Sequence, residues 1–378
     1  MDDNYHQWFA REKPGVKPEA GWETLDMNSW MGAPYLFNES MHPTAWVGRQ
    51  AVEFLNNYSD AQSKSDETED LFFLKVSFQR PHSPYDPPKR IFDEVLASDL
   101  QPIRIAEDGW DSRFNGSAPG CYAGTGQASD SDSWCGDMPE PDRTEARRAY
   151  IGSVRFIDEW VGEIMATLEK TGLLENTLIV WTSDHGDGQA DHYHWRKLYA
   201  YEMSSRISML LRWPQSMADS VTLERGSVLD VVTELRDIFP TMLHAAGGNS
   251  TIPEKYQMDG RSLLLADQPG WRKWLDLEHS KCYNATNHWN ALTDGKVKYI
   301  FNAYFPAEQL FNLTADPFEL HDLAKEQPAT TAVWRERLVS LFEQQKRGSN
   351  WVKDGKLTQR NGSGDVTSPN YPQPQGSR

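Results

Sequence analysis

Short apolar runs alternate with long polar stretches along the chain, and the runs carry two different periods. Residues 1–42 are rich in Trp, Pro and Gly without a clear period, which predicts loops with short elements. Pro43 then opens a predicted helix, because Val47, Ala51, Phe54 and Leu55 recur at helical spacing on one face. After a polar linker comes a mostly apolar run of strand length, LFFLKVSF at 71–78. Pro81 and Pro84 forbid its continuation in a central sheet. Residues 108–141, rich in Gly, Ser and Asp, predict a long surface loop. Asp142 and Glu145 form a capping-box pattern. The helix behind it carries Ile151, Val154, Ile157, Val161, Ile164, Met165 and Leu168 on one side and ends near Gly172. Strand-length runs come next at 178–181 and 209–211, and 237–243 starts a helix that closes at Gly247 and Gly248. This alternation predicts an α/β domain with buried, parallel strands.

The texture changes toward the C-terminus. Asp294-Gly295 is a hairpin signal, followed by alternating Val297, Tyr299 and Phe301 and a further strand at 309–313. Trp334, Leu338, Leu341 and Phe342 mark a last amphipathic helix, and the polar sequence from Lys346 onward predicts a disordered tail. The expected organisation is an α/β domain at 1–250, an α+β subdomain at 251–345 and a tail at 346–378.

Composition narrows the function classes. Asp+Glu 55 against Lys+Arg 38 gives a net charge of −17, which disfavours a nucleic-acid-coating protein. An anionic substrate must therefore be met by a local cation or a metal. No apolar run approaches the roughly 18 residues of a membrane-spanning helix. The start of the chain is acidic and polar, without a signal-peptide pattern. Three cysteines, Cys121, Cys135 and Cys282, exclude a disulfide scaffold and a Cys-rich zinc module; Cys121 and Cys135 could bridge or remain free. Asn-x-Ser/Thr sequons begin at Asn38, Asn57, Asn115, Asn249, Asn284, Asn312 and Asn361, a density that points to the secretory pathway, secreted or lysosomal.

Three segments carry candidate chemistry. Ser183-Asp184-His185-Gly186-Asp187-Gly188 comes directly after an apolar strand, where sites form in open α/β sheets. Its glycines allow a tight bend, and Asp184 beside His185 suits a divalent cation: oxygen donors favour Ca²⁺, Mg²⁺ or Mn²⁺, and the imidazole leaves room for Zn²⁺. The plainer reading of these six residues is an Asp-Gly turn with a surface histidine. Asp191-His192-Tyr193-His194-Trp195-Arg196-Lys197 is a basic cluster in an acidic protein, fit to hold an anion on Lys197 with a histidine as proton donor, or else a solvated loop. His82 stands between Pro81 and Pro84, which restrict its backbone. The many tryptophans offer sugar-stacking surfaces as well as core. There is no Gly-x-Ser-x-Gly, no phosphate-binding Gly-rich loop and no His-Glu-x-x-His.

Taken in order, these segments resemble the sulfatase family of the alkaline-phosphatase-like superfamily. The matching pieces are FFLKVSFQRPHSPYDPP at 72–88, AYIGSVRFIDEWVGEIMATLEKTGLLENTLIVWTSDHGD at 149–187, HYHWRKLYAYEMSSRISMLLRWP at 192–214, DIFPTMLHAAG at 237–247, MDGRSLL at 258–264, and VKYIFN with QLFNLTADPFELHDLA at 297–324. The resemblance implies a central mixed sheet flanked by helices, with a small C-terminal α+β subdomain built on an antiparallel sheet. It implies Asp184 and His185 as ligands of a divalent metal, usually Ca²⁺, and Lys197, His192 and His82 as residues that hold sulfate and serve catalysis. The implied reaction is hydrolysis of a sulfate ester to an alcohol and sulfate, with a histidine protonating the departing oxygen.

The sequence also departs from the family. The Cys/Ser-x-Pro-Ser-Arg motif that yields the formylglycine nucleophile is absent, since YAGT follows Cys121, GDMP follows Cys135 and YNAT follows Cys282. The family's early Asp-Asp metal pair and its Lys-x-His pair are absent too; Asp2-Asp3 has no apolar strand before it. The expectation is that the chain begins after these elements, as part of an active sulfatase. The alternatives are a non-catalytic relative that binds sulfated glycans, and a phosphodiester or phosphonate monoester hydrolase of the same superfamily.

Overall fold

A computed structural model describes residues 4–19, 25, 29–64, 71–106, 135–248, 258–279, 287–304 and 307–360. The first helix, α1 (Asn4–Glu12), buries Phe9 against Tyr35 and Met41. The second, α2 (Pro43–Gln62), starts where expected, with Pro43 in its first turn. Its cap is His42, whose Nδ1 accepts from Thr44 N at 3.1 Å. A short helix, α3 (Lys89–Glu94), precedes the 31-residue α4 (Glu140–Lys170) in the chain. Two strands, β1 (Ile179–Thr182) and β2 (Met209–Arg212), bracket the candidate site, with the one-turn α5 (Glu202–Ser205) between them. Then come α6 (Ile238–Ala245) and a four-stranded sheet, β3 (Leu275–His279), β4 (Trp289–Thr293), β5 (Val297–Asn302) and β6 (Ala307–Asn312). The last helix is α7 (Pro328–Gln344), followed by the hairpin β7 (Val352–Lys353) and β8 (Lys356–Leu357).

The C-terminal sheet obeys its period-2 pattern. It is antiparallel throughout in the order β3-β4-β5-β6. Leu292, Tyr299, Phe301 and Leu310 face Trp334, Leu338 and Phe342 of α7. Trp289, Ala291, Ile300 and Phe311 on the other face pack on Tyr199, Ala200 and Tyr201, the segment just after Lys197. The sheet is thus one wall of the candidate site. Ordered structure runs past Lys346, because Trp351 inserts into the cluster under α7 and Arg360 is buried against His288 and Asn290. Residues 361–378 of the expected tail lie outside the described residues.

Several local expectations are corrected. β1 and β2 pair antiparallel, Ile179 opposite Arg212, and both are half-exposed rather than buried. Residues 71–78 are extended, with exposure alternating strictly along them, but they pair with no described strand. Parallel strands need neighbours delivered by crossovers, and the described residues bring none between these two runs. The start of α4 has Pro139 as its cap and Glu140 in the first turn, so Asp142 and Glu145 do not form a capping box. Its buried stripe consists largely of small residues, Ala146, Ala149, Gly152 and Ser153 with Phe156 and Ile157, while Val154 is exposed. A Cβ on Gly152 would stand 2.9 Å from Pro87, so close approach, and not apolar bulk, selects that face.

Candidate functional site

The turn that carries His82 hangs on a buried polar knot. Arg80 donates through Nε to Asp86 Oδ1 at 2.6 Å and through Nη2 to Oδ2 at 2.9 Å, with both side chains about 1% exposed. His42 Nε2 reaches Asp86 O at 3.1 Å, which ties α2 to the same turn. Burial alone would raise the Asp86 pKa, but the charge and hydrogen bonds of Arg80, joined by His42, together bring it below its ordinary value. The peptide bonds before Pro81 and Pro84 are both cis. His82 Nδ1 donates to Ser83 O at 2.9 Å, so its Nε2 carries the lone pair, and that atom meets Lys197 Nζ. Burial, together with the nearby Lys197 charge, lowers the His82 pKa and keeps the ring neutral.

The Ser183-to-Gly188 bend is set by two glycines in tight places. A Cβ on Gly186 would fall 2.2 Å from Met203 O, and one on Gly188 would fall 2.5 Å from His194 O. Gly186 N donates to Ser204 O at 2.9 Å and Gly188 N to Arg196 O at 2.7 Å. Asp187 organises the loop leading to Lys197: it accepts from Tyr85 Oη at 2.8 Å, Gln189 Nε2 at 2.9 Å and Arg196 N at 3.0 Å. Burial and the neighbouring Asp187 hold the Tyr85 phenol far above its ordinary range, so it stays a donor. The loop is costly in backbone terms: Gln189, Ala190, His192, Tyr193, Arg196 and Leu198 all have positive φ.

His82, Lys197 and His185 share one point. The His82 and His185 rings are 6.1 Å apart, edge to face. His185 Nδ1 donates to Gly186 O at 2.8 Å, leaving Nε2 as a lone-pair donor 3.6 Å from Asp184 Oδ2. The Asp184 side chain is 82% exposed. One carboxylate and one oriented imidazole fit two corners of a divalent-cation shell. Among the described residues no set of three or more such ligands completes it. His192, which we expected at the anion, has different neighbours. Its ring is 3% exposed and Nε2 lies 2.8 Å from Phe318 O, while its backbone N donates to Arg104 O at 2.7 Å. Burial holds its pKa down to about 4. Cys135 is disulfide-bonded, while Cys121 and Cys282 both lie outside the described residues.

Sequence reasoning missed the supports. Asp86, Tyr85, Asp187 and Ser204 are not among the expected site residues, yet they hold the turn of His82 and the loop that runs from His185 to Lys197. The only local sign of them is position: Tyr85-Asp86 beside two prolines, and Asp187 between two glycines.

The chain is similar to known proteins along most of its length. The sulfatase family model matches residues 3–248, and that of the C-terminal region of N-sulphoglucosamine sulphohydrolase matches 190–347. An arylsulfatase from Clostridium perfringens is 32% identical over 360 residues, covering 94% of this chain and 68% of that protein. A choline-sulfatase from Rhizobium meliloti is 28% identical over 325 residues, covering 83% of this chain and 57% of that protein. The solved phosphonate monoester hydrolase of Agrobacterium radiobacter superposes with a TM-score of 0.68 at 20% identity, covering 94% of this chain and 73% of that one, a likeness of fold. With the family model matched over residues 3–248 and an arylsulfatase 32% identical and covered over 68% of its length, the chain belongs to the sulfatase family.

Proposed function

We propose that this chain carries the anion-holding part of a sulfate-ester hydrolase. The observation that carries the reading is Lys197 Nζ meeting the neutral Nε2 of His82 beside His185. A fixed ammonium in a protein of net charge −17 is what a sulfuryl group requires to enter the local field. Lys197 would hold the sulfuryl oxygens and disperse charge as the ester bond breaks. His82 Nε2 is the ring atom facing that position; as a lone-pair atom it would first take up a proton from solvent and then pass it to the departing alcohol oxygen. Asp184 and His185 would hold a divalent cation, Ca²⁺ by family and with Mg²⁺ or Mn²⁺ suited to the same donors, which when bound supplies Lewis-acid charge stabilisation. His192 would serve by holding the loop to Phe318 rather than by touching the anion. The substrate is a sulfate ester, on a small molecule or a glycan.

Location in the secretory pathway is supported by exposed sequon asparagines, Asn38, Asn57 and Asn312, and by the disulfide at Cys135. Among the described residues no helix is long and apolar enough to cross a membrane. A second reading, phosphonate or phosphodiester hydrolysis, is favoured by the fold match to the phosphonate monoester hydrolase. Lys197 and His82 would serve a phosphoryl group equally well.

The test is calorimetric titration of the purified chain with inorganic sulfate, followed by an aryl sulfate assay. We expect saturable sulfate binding that Lys197→Ala weakens at least tenfold, and little or no turnover, because the sequence contains no nucleophile motif. Sulfate binding indifferent to Lys197→Ala would overturn the site. Measurable aryl sulfate turnover would overturn the missing-nucleophile argument. Tighter binding of inorganic phosphate than of sulfate would favour the second reading.

A further inference from the structure

Lys197 stands between two residues in left-handed backbone conformations, Arg196 at φ 65° and Leu198 at φ 87°. Such residues persist only where their surroundings over-determine them. On the upstream side the determinants belong to the site loop itself, Asp187 Oδ1 on Arg196 N and Gly188 N on Arg196 O. On the downstream side they come from elsewhere. Leu198 N donates to Ser204 Oγ at 3.0 Å. Leu198 O accepts two bonds at once, from Trp289 Nε1 at 3.0 Å and from Asn287 Nδ2 at 3.1 Å. Both donors are in or next to β4, about 90 residues further along the chain, and both residues are buried, Asn287 3% and Trp289 8% exposed. They are themselves held: His279 Nδ1 donates to Asn287 O at 2.8 Å, and the His279 ring stacks on Trp289 at 5.9 Å with 19° between planes. The indole N–H can only donate, so its one bond is committed to this carbonyl.

We infer that Asn287 and Trp289 are positioning residues for Lys197: the C-terminal sheet aims the anion-holding ammonium by gripping the carbonyl of the next residue. This deepens the proposed function and rests on Lys197 being the anion-holding group. It makes the C-terminal sheet part of the site, although none of its side chains is assigned to touch the anion. Rotating the Leu198 peptide away from these donors would release its left-handed turn and swing Lys197 out of line with His82.

The experiment is a double-mutant cycle in the full chain, with inorganic sulfate as the probe. Trp289→Phe keeps a ring against His279 and deletes the donor; Asn287→Ala deletes the other. Each is expected to weaken sulfate binding about fivefold, the worth of one hydrogen bond. In a Lys197→Ala background neither should weaken it further, because both act through that side chain. An unchanged affinity in both single variants, or an equal loss with and without Lys197, overturns the inference. A thermal melt selects the variants that fold cooperatively, and either single variant completes the cycle alone. If the unaltered chain binds no sulfate, the proposed function fails instead. Positioning is then judged on the rate of reductive methylation of the Lys197 amine, mapped by peptide mass. A several-fold faster rate in Trp289→Phe or Asn287→Ala supports the grip, and an unchanged rate overturns it.

Discussion

At residue scale the site depends on what is missing from two side chains. Gly186 has room for no Cβ, since one would overlap Met203 O, a backbone atom that can yield only if α5 moves. Gly186→Ala is therefore expected to lower stability by ~2 kcal/mol or more and to weaken sulfate binding, read by urea denaturation and calorimetry together. His192 provides a pH-dependent contribution. Its pKa falls from the ordinary 6.5 to about 4 on folding, chiefly by burial. Between those values the unfolded chain binds the extra proton, so stability rises with pH through this window. The contribution is complete above pH 6.5 and lost as pH falls toward 4, up to ~3 kcal/mol in total. His192→Gln should flatten the melting temperature between pH 4 and 6.5, and an unchanged slope would assign the acid sensitivity to other groups.

At element scale the notable feature is the extended run 71–78. Leu71 is 80% and Phe73 76% exposed, while Phe72 on the alternate face packs against Tyr58 at 4.9 Å. No backbone group of this run bonds to a described residue. An unpaired apolar strand is a template for further strands. We predict that the chain self-associates and that Leu71→Lys with Phe73→Lys reduces this without loss of melting temperature, checked by light scattering. A light-scattering mass unaffected by the double substitution would place self-association elsewhere. The run was legible in the sequence as a mostly apolar segment of strand length; its lack of partners among the described residues was not, because pairing is a property of neighbours rather than of the run.

At the scale of the whole molecule, a buried cation joins the C-terminal sheet to the α5 segment. Lys298 of β5 is fully buried, with Nζ 2.6 Å from Glu202, 3.0 Å from Glu319 and 2.8 Å from Ala200 O. One charge serves two carboxylates, and burial drives Glu319 up to about 7 despite Lys298. Removing the cation leaves the carboxylates facing each other without compensation. Lys298→Met is expected to cost ~3–5 kcal/mol of unfolding free energy, measured by denaturant titration. A neutral outcome would mean that Glu319 already holds a proton and Glu202 turns to solvent.

The periodic and local parts of this protein were determined by its sequence alone. Helical spacing after Pro43, alternation at Val297, Tyr299 and Phe301, and the tight bend at Gly186 and Gly188 are short-range consequences of residue type. The candidacy of His82, Asp184, His185 and Lys197 came from the resemblance of their segments to the sulfatase family. Tertiary structure alone decided which of them meet. It joined His82 to Lys197 across 115 positions and sent His192 to Phe318 across 126. It made the β1–β2 pairing antiparallel, drew Trp351 out of the expected tail into the core, and set Asn287 and Trp289 against Leu198. The physical reason is common to all of these. Hydrogen-bond partners and burial are settled by what remains unsatisfied once the elements have packed, and no window of the chain contains that information.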